Sequence, residues 1–214
     1  MIAYADFSAI PRHAYSAILC DPPWSFKAWS AKGAGRSAEQ HFRTLTFDEL
    51  AAFPVAELAA DRCALFMWVV RSNLPEAMHL IDAWGFKYKS TAFVWEKTCR
   101  CQPDKPRISQ GYWTRGGTEQ CWFATRGKKN PPRKSKGVRE LIIAPIGRHS
   151  EKPAETCNRI EALVDGPYLE LFARQTRPGW DAWGDDPALT VWDRMWSRPY
   201  SFPMNKEIPG ASAS

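Results

Sequence analysis

The tetrapeptide Asp21-Pro22-Pro23-Trp24 combines residue types that could hold and activate an amine. Each proline fixes its φ angle and lacks an N–H, so we expect their carbonyls to project from a stiff loop without a competing turn hydrogen bond. If the Asp21 carboxylate and the Pro22 carbonyl each accept one amine hydrogen, the nitrogen can become tetrahedral as it attacks a methyl sulfonium. Trp24 would offer a flat face for base stacking, worth about 1–3 kcal/mol. A bare Pro-Pro pair would instead favour a simple turn after a strand.

The elements around the tetrapeptide predict where Asp21 lies. Six short apolar runs indicate strands: Ala17–Cys20, Ala64–Val70, Thr91–Trp95, Cys121–Thr125, Leu141–Ile146 and Tyr168–Phe172. Helix-like or turn-rich pieces separate them, which is typical of an α/β fold with a mostly parallel central sheet flanked by helices. Ligands of such sheets bind outside the carboxyl ends of strands, and Asp21 directly follows the first run.

Two helices are predicted from apolar spacing. Leu74, Ala77, Met78 and Ile81 fall on one helical face, with Gly85 as a stop. The second helix carries five apolar positions on one face, with Ser150 as its expected N-cap: Ala154, Cys157, Ile160, Leu163 and Val164. Three long stretches show neither pattern and are expected to be functional loops: Ser25–Glu39, Thr98–Thr118 and Arg126–Arg139.

Composition limits the functional classes. The 214 residues suffice for one domain with a real core, and the formal net charge of +6 favours a polyanionic partner such as nucleic acid. No apolar run approaches the roughly 18 residues that span a bilayer, so no membrane role is expected. The six scattered cysteines fit a reduced cytosolic or nuclear setting, and their spacing does not predict a metal site.

Six ordered blocks, which cover nearly all of residues 18–186, resemble one family. They are "CDPPW", "LFMWV", "WGFKY…FVWEK", "GYWTRGGTEQCWFATRG", "HSEKP" and "YLELFARQTRPGWDAWG". They are similar to the N6-adenine methyltransferases typified by the catalytic subunit of the eukaryotic messenger-RNA adenosine methyltransferase, and most like its bacterial and phage DNA-modifying members. The resemblance implies a Rossmann-like fold that uses S-adenosyl-L-methionine and releases S-adenosyl-L-homocysteine. It also implies that the catalytic residues are Asp21, Pro22, Pro23 and Trp24.

The same resemblance implies which residues hold the cofactor. Lys152 matches a lysine that contacts the cofactor carboxylate, and Glu170 and Arg174 match positions around its ribose and amino-acid ends. Asp185 stands where relatives commonly carry an amide, and a carboxylate there cannot donate a hydrogen bond. The full set that the resemblance implies is Asp21, Lys152, Glu170, Arg174, Arg177, Asp185 and Asp186.

Three segments could contact nucleic acid. Residues 126–139 contain seven basic residues and no acid, which favours a phosphate-binding loop over a merely solvated one. The segment after the tetrapeptide resembles a lid over a flipped base, and "GYWTRGGTE" resembles the family's second active-site loop. A stacked adenine cannot reach a closed pocket, so the base must be single-stranded or flipped out. The expected contacts are Lys27, Trp29, Arg36, Trp113, Arg115, Glu119, Lys128, Lys129, Arg133, Lys134 and Lys136.

We therefore expect an adenine-N6 methyltransferase that acts on DNA in the cytoplasm of a bacterium or phage-infected host. RNA as substrate, an exocyclic cytosine amine and a non-catalytic nucleic-acid-binding scaffold remain alternatives. Residues 1–190 are expected to form one methyltransferase domain, and residues 191–214 an aromatic tail whose last residues are disordered. The aromatics of that tail could serve the interface of a homodimer or with a partner subunit, although packing against their own domain is favoured.

Overall fold

The fold is that of a computed structural model, which describes residues 1–25, 44–109, 111, 113–147 and 151–184. These residues form eight strands: β1 Tyr15–Cys20, β2 Ala59–Val69, β3 Lys87–Cys99, β4 Gln102–Pro106, β5 Thr118–Arg126, β6 Leu141–Pro145, β7 Tyr168–Ala173 and β8 Trp180–Gly184. Their α-helices are α1 Phe47–Ala51, α2 Val55–Leu58, α3 Leu74–Ala83 and α4 Glu155–Leu163. Short 3₁₀ turns cover Phe7–Ala9 and Arg71–Asn73.

All eight strands belong to one sheet. Its order is β4-β3-β5-β2-β1-β7-β8, and β6 pairs with β3 outside this path. β2, β1, β7 and β8 pair in parallel, and β5 is antiparallel to both β2 and β3. Since β6 is parallel to β3, only β4 and β5 run against the other six. The predicted Rossmann-like α/β fold with a mostly parallel sheet is confirmed.

The sheet has two edges that matter for function. We call the side where β1 ends at Cys20 the carboxyl edge, and the side where β1 begins at Tyr15 the amino edge. β5 runs the opposite way to β2, and its last residue, Arg126, pairs with Cys63 near the start of β2. The segment that follows β5 therefore starts at the amino edge.

Two hydrophobic clusters cover the two faces of the sheet. Along β1, Ile18 and Cys20 belong to one cluster and Ala17 and Leu19 to the other, as strand alternation requires. The first cluster is rich in aromatic contacts among Phe7, Phe53, Phe172 and Trp183. The second includes the buried face of α4 and the indole rings of Trp68, Trp95 and Trp180. Both clusters extend to the carboxyl edge, so the packed core fixes the positions of the residues there.

The six predicted strands are present, and four of them begin earlier than their apolar runs indicated. β4 and β8 were not predicted. β4 lies inside the stretch expected to be a loop, and its five residues are all exposed, so no apolar alternation announces it. Residues 127–139 contain no helix or strand, as expected.

The helix predictions hold except at one end. α3 covers the predicted apolar positions, and Gly85 follows it with φ +74°, a conformation that glycine adopts without a Cβ clash. α4 begins at Glu155 with Ala154 at its N-cap position, so the prediction of Ser150 as N-cap is wrong. α1 was missed although Thr46 and Glu49 form a capping box, a signal readable from the sequence. No helix of the described residues is long and apolar enough to cross a membrane.

Candidate active site

Asp21 lies at the carboxyl edge, directly after the buried strand β1. Its Oδ2 accepts a hydrogen bond from Lys152 Nζ at 2.6 Å. The two side chains are 20% and 16% exposed respectively, so they are largely withdrawn from water. Lys152 comes from the segment before α4, 131 residues away in sequence. The fold therefore joins two of the predicted site residues in a charge-assisted hydrogen bond, which is stronger than a neutral one.

The backbone of the tetrapeptide forms a tight turn. The Trp24 N–H donates to the Pro22 carbonyl at 2.8 Å, and the Leu45 N–H donates to the Pro23 carbonyl at 2.8 Å. The expectation that these carbonyls stay clear of turn hydrogen bonds is therefore wrong for Pro22, whereas the Pro23 carbonyl accepts from a residue distant in sequence. A carbonyl oxygen has two lone pairs, so Pro22 can still accept one amine hydrogen. The turn fixes the direction in which that lone pair points.

Trp24 has a different environment from the one expected. It is only 4% exposed, belongs to the first hydrophobic cluster, and its indole Nε1 donates to the Trp68 carbonyl at 3.3 Å. An indole covered to this extent offers no open face to a base, which corrects the stacking interpretation for this structure. Its packing and its hydrogen bond instead attach the turn to the end of β2.

A chain of alternating charges extends from Asp21 across the sheet. Glu119 on β5 forms an ion pair with Lys97 on β3, and its Oε2 lies 3.6 Å from Lys152 Nζ. Burial acts to raise the pKa of Glu119, but Lys152 and Lys97 outweigh it, so that pKa lies below its ordinary value. Asp21, Lys152, Glu119 and Lys97 thus alternate in sign, and the lowered pKa keeps Glu119 ionised at neutral pH.

Two indole rings border this chain. Lys97 Nζ lies 5.0 Å from the centroid of Trp95, and Lys152 Nζ lies 5.7 Å from that of Trp68. Both distances fall within the range of cation–π attraction. The two rings contact each other edge to face with centroids 6.3 Å apart. Both rings are only 2% exposed, so their packing holds the two ammonium groups in place.

A cavity of about 190 Å³ lies beside Asp21 at the carboxyl edge. Glu170 borders it from β7, where it pairs in register with Leu19 of β1. Burial, and then the nearby charge of Asp21, raise the pKa of Glu170 to about 7. Glu170 makes no hydrogen bond or ion pair within the described part of the chain. A largely desolvated carboxyl without a partner is costly, so this partly buried group is suited to a ligand that supplies one.

Two further polar atoms at this cavity have no hydrogen-bond partner among the described residues. They are Trp68 Nε1 and Thr156 Oγ1, and both residues are at least 98% buried. Buried polar groups are normally satisfied, so unpaired ones beside a cavity indicate a polar ligand. A molecule with hydroxyl, amine and carboxylate groups fits this lining. Neither residue was predicted from the sequence to be part of the site, although Trp68 lies in the block "LFMWV".

Of the other predicted cofactor residues, Arg174 and Arg177 also border the cavity. Arg177 is tied to α4, because its Nε lies 3.1 Å from Glu161 Oε1 and its Nη2 donates to Asn158 Oδ1 at 2.5 Å. Arg177 therefore anchors the loop after β7. Two more predicted residues, Asp185 and Asp186, lie outside the described residues.

The predicted nucleic-acid contacts separate in space. Glu119 is part of the site, and Trp113 is 89% exposed on the loop before β5, where Arg115 is also exposed. Lys27, Trp29 and Arg36 lie outside the described residues. Residues 126–139 start at the amino edge, on the far side of the sheet from Asp21. The structure also adds two residues to the site that the sequence did not suggest, Lys97 and Trp95. They lie on the same side of β3 because they are two residues apart.

Four of the six cysteines are buried packing residues: Cys20, Cys63, Cys121 and Cys157. Cys20 and Cys121 are fully buried, and burial raises the pKa of both thiols well above its ordinary value. Thiols in such surroundings are poor nucleophiles. Within the described ranges, no group of three or more His, Cys, Asp and Glu side chains could hold a metal ion.

Comparison with known proteins places these features in context. A family profile described as MT-A70 matches residues 15–186. The type II methyltransferase M.MunI of a Mycoplasma species is 33% identical over 194 residues, covering 83% of this chain and 80% of that protein. The N(6)-adenine-specific methyltransferase METTL4 of Mus musculus is 28% identical over 195 residues, covering 80% of this chain and 37% of that protein. METTL4 of Homo sapiens is 27% identical over 188 residues, covering 82% of this chain and 38% of that protein. The chain thus spans most of the bacterial protein and under two fifths of each mammalian one.

Proposed function

Because this chain belongs to the MT-A70 family, we propose that it transfers a methyl group from S-adenosyl-L-methionine to the N6 amine of adenine in DNA. The observation that carries the proposal is the position of Asp21 beside a cavity with unpaired polar groups, with the Pro22 carbonyl next to it in the chain. The match to a type II methyltransferase over most of both chains supports DNA as the nucleic acid. The net charge of +6 is consistent with a polyanionic substrate. The profile match also supports a single methyltransferase domain within residues 1–190.

The lining of the cavity fits this cofactor. When bound, S-adenosyl-L-methionine supplies an electrophilic methyl group on a sulfonium sulfur. The Glu170 carboxylate would accept from ribose hydroxyls, and Thr156 Oγ1 and Trp68 Nε1 would find polar partners. The Lys152 ammonium has three donors, so it can hold Asp21 and the cofactor carboxylate together. Arg174 and the loop that Arg177 anchors would enclose the amino-acid end.

The residues of the turn would orient the adenine amine. Asp21 and the Pro22 carbonyl each accept one N6 hydrogen, which directs the nitrogen lone pair away from the ring plane. The negative charge of Asp21 stabilises the positive charge that develops on nitrogen, and Asp21 then receives the proton that nitrogen loses. The ion pair with Lys152 holds the Asp21 carboxylate in one position.

Labelled cofactor incubated separately with adenine-containing DNA and RNA tests the proposal, with mass spectrometry of the nucleosides to identify the product. We expect N6-methyladenine in DNA. Strong labelling of RNA with none in DNA would move the substrate to RNA, and methylcytosine would move the target base. Calorimetry with the cofactor separates an enzyme from a non-catalytic scaffold, because a scaffold would show no binding.

A further inference from the structure

We name residues 126–139 the basic segment. It starts at the end of β5, where Arg126 pairs with Cys63 near the start of β2. Later in the segment, the Lys134 N–H donates to the Leu163 carbonyl at the end of α4. The ends of β5 and α4 both lie at the amino edge. β1 has six residues at ~3.3 Å each, so the two edges of the sheet are roughly 20 Å apart.

The basic segment is fixed to the fold by its backbone. The Arg62 guanidinium donates to the Asn130 carbonyl at 3.0 Å through Nε, and Thr125 Oγ1 donates to Asn130 Oδ1 at 3.3 Å. Pro131 and Pro132 restrict two further φ angles. A backbone held in this way presents its side chains from defined positions, so the segment differs from a freely solvated loop.

Most cations of the basic segment are not neutralised by the protein. Lys134 is paired with Asp165 at 2.9 Å. Five others are exposed and make no side-chain hydrogen bond or ion pair within the described part of the chain: Lys128, Lys129, Arg133, Lys136 and Arg139. The groove beneath the segment, about 440 Å³, is bordered by Asp61, Arg62 and Asp165, whose charges of both signs offset one another, and none of the five unpaired cations lines it. The anion-attracting surface is therefore the solvent-facing side.

We propose that the basic segment is a second DNA-binding surface, which holds the phosphate backbone away from the target base. The inference rests on the proposed function, since DNA is the polyanion that the active site would engage. A row of exposed cations without protein partners matches the regular charge of a phosphate backbone. At 3.4 Å per base pair, about 20 Å corresponds to six base-pair steps, so one DNA molecule extends past the active site far enough to reach this surface. The contact adds affinity and leaves the reacting base untouched.

Salt-dependent binding of a fluorescent 24-base-pair duplex tests this surface without any methyl transfer. The test variant is Lys128→Gln/Lys129→Gln/Arg133→Gln. The control is Arg100→Gln/Lys105→Gln/Arg107→Gln, which removes the same charge from exposed residues around the β3–β4 turn, near the carboxyl edge. Each phosphate contact contributes about 0.9 to the slope of log affinity against log salt. We expect the test variant to lose roughly 2–3 from that slope and about tenfold or more in affinity, and the control to lose less.

The outcomes separate this inference from the proposed function. Equal losses in both variants would mean that binding follows net charge alone, which overturns the inference. In methylation assays the test variant should raise KM about tenfold and leave kcat within twofold. A large fall in kcat would instead place the segment at the target base. A wild-type protein that binds DNA through the segment but transfers no methyl group refutes the proposed function alone.

Discussion

The Asp21 site at the carboxyl edge and the basic segment at the amino edge hold their charged side chains in opposite ways. At the carboxyl edge Asp21, Lys152 and Glu119 are one quarter exposed or less, and each lies within 4 Å of an opposite charge. At the amino edge Lys128 and Lys129 are exposed and have no partner among the described residues. The same residue types therefore occur in two electrostatic environments about one strand length apart.

This contrast follows from the tasks that we assign to the two edges. Charges that stabilise a transition state must be fixed and partly withdrawn from water, because a preorganised dipole or charge acts more strongly at low dielectric. Charges that bind a backbone of variable sequence must stay hydrated and accessible, since their affinity comes from release of counterions. The four predictions below test the contrast, from the largest expected effect to the smallest.

Replacement of Asp21 by Asn should lower methyl transfer by about 10³-fold. The amide keeps the shape of the side chain but removes the charge and places a donor where an acceptor is needed. The matched control is Asp61→Asn, which changes an exposed carboxylate at the amino edge and should leave kcat unchanged. Circular dichroism and cofactor calorimetry would establish that both variants fold. A folded Asp21→Asn protein with wild-type kcat would falsify the role of this carboxylate.

Two lysine–aspartate pairs allow a second test. Lys152→Gln leaves Asp21 and Glu119 without their shared cation, and we expect thermal denaturation to show a loss of about 1–3 kcal/mol, with a large fall in transfer. Lys134→Gln breaks the ion pair with Asp165. Because both of these side chains are well exposed, the midpoint of thermal unfolding should stay unchanged. Equal shifts in the two variants would contradict the contrast between the edges.

Sequence reasoning located the reactive edge because that inference depends on local order. Asp21 follows an apolar run and Glu170 lies within another, and parallel strands bring such positions together. The resemblance added Lys152, which neither spacing nor periodicity identifies. The fold class followed from the alternation of apolar runs and helix-like pieces, and the exposed strand β4 gave no such signal.

Other features depend on tertiary structure and could not be predicted. The direction of β5 decides that the basic segment starts at the amino edge, and an apolar run does not reveal its direction. The burial of Trp24 depends on the end of β2, whose Trp68 carbonyl lies 44 residues away in sequence. The turn hydrogen bond to Pro22 depends on ψ angles that proline does not fix.

Glu170→Gln tests desolvation at the carboxyl edge. The folded-state pKa of Glu170, about 7, exceeds its ordinary value of 4.5, so wild-type stability should fall as pH rises from about 4.5 to about 7 and then level off. The variant lacks this titration. In chemical denaturation it should exceed wild type by roughly 1–3 kcal/mol at pH 8 and match it near pH 4. Its cofactor affinity should be lower at pH 8, because the amide accepts fewer ribose hydrogen bonds. Identical stability profiles across this range would contradict the assigned burial cost.

Trp24→Phe should have the smallest effect, and it tests whether every side chain of the tetrapeptide takes part in the chemistry. Phe keeps an aromatic ring in the core but cannot donate to the Trp68 carbonyl, which costs about 1 kcal/mol in stability. Because the ring is covered, KM for DNA and kcat should stay within about twofold of wild type. Trp113→Ala is the comparison, since Trp113 is 89% exposed and can meet DNA directly. If Trp24→Phe raised KM for DNA without a loss of stability, the base would contact that ring, and the carboxyl edge would have to open during the reaction.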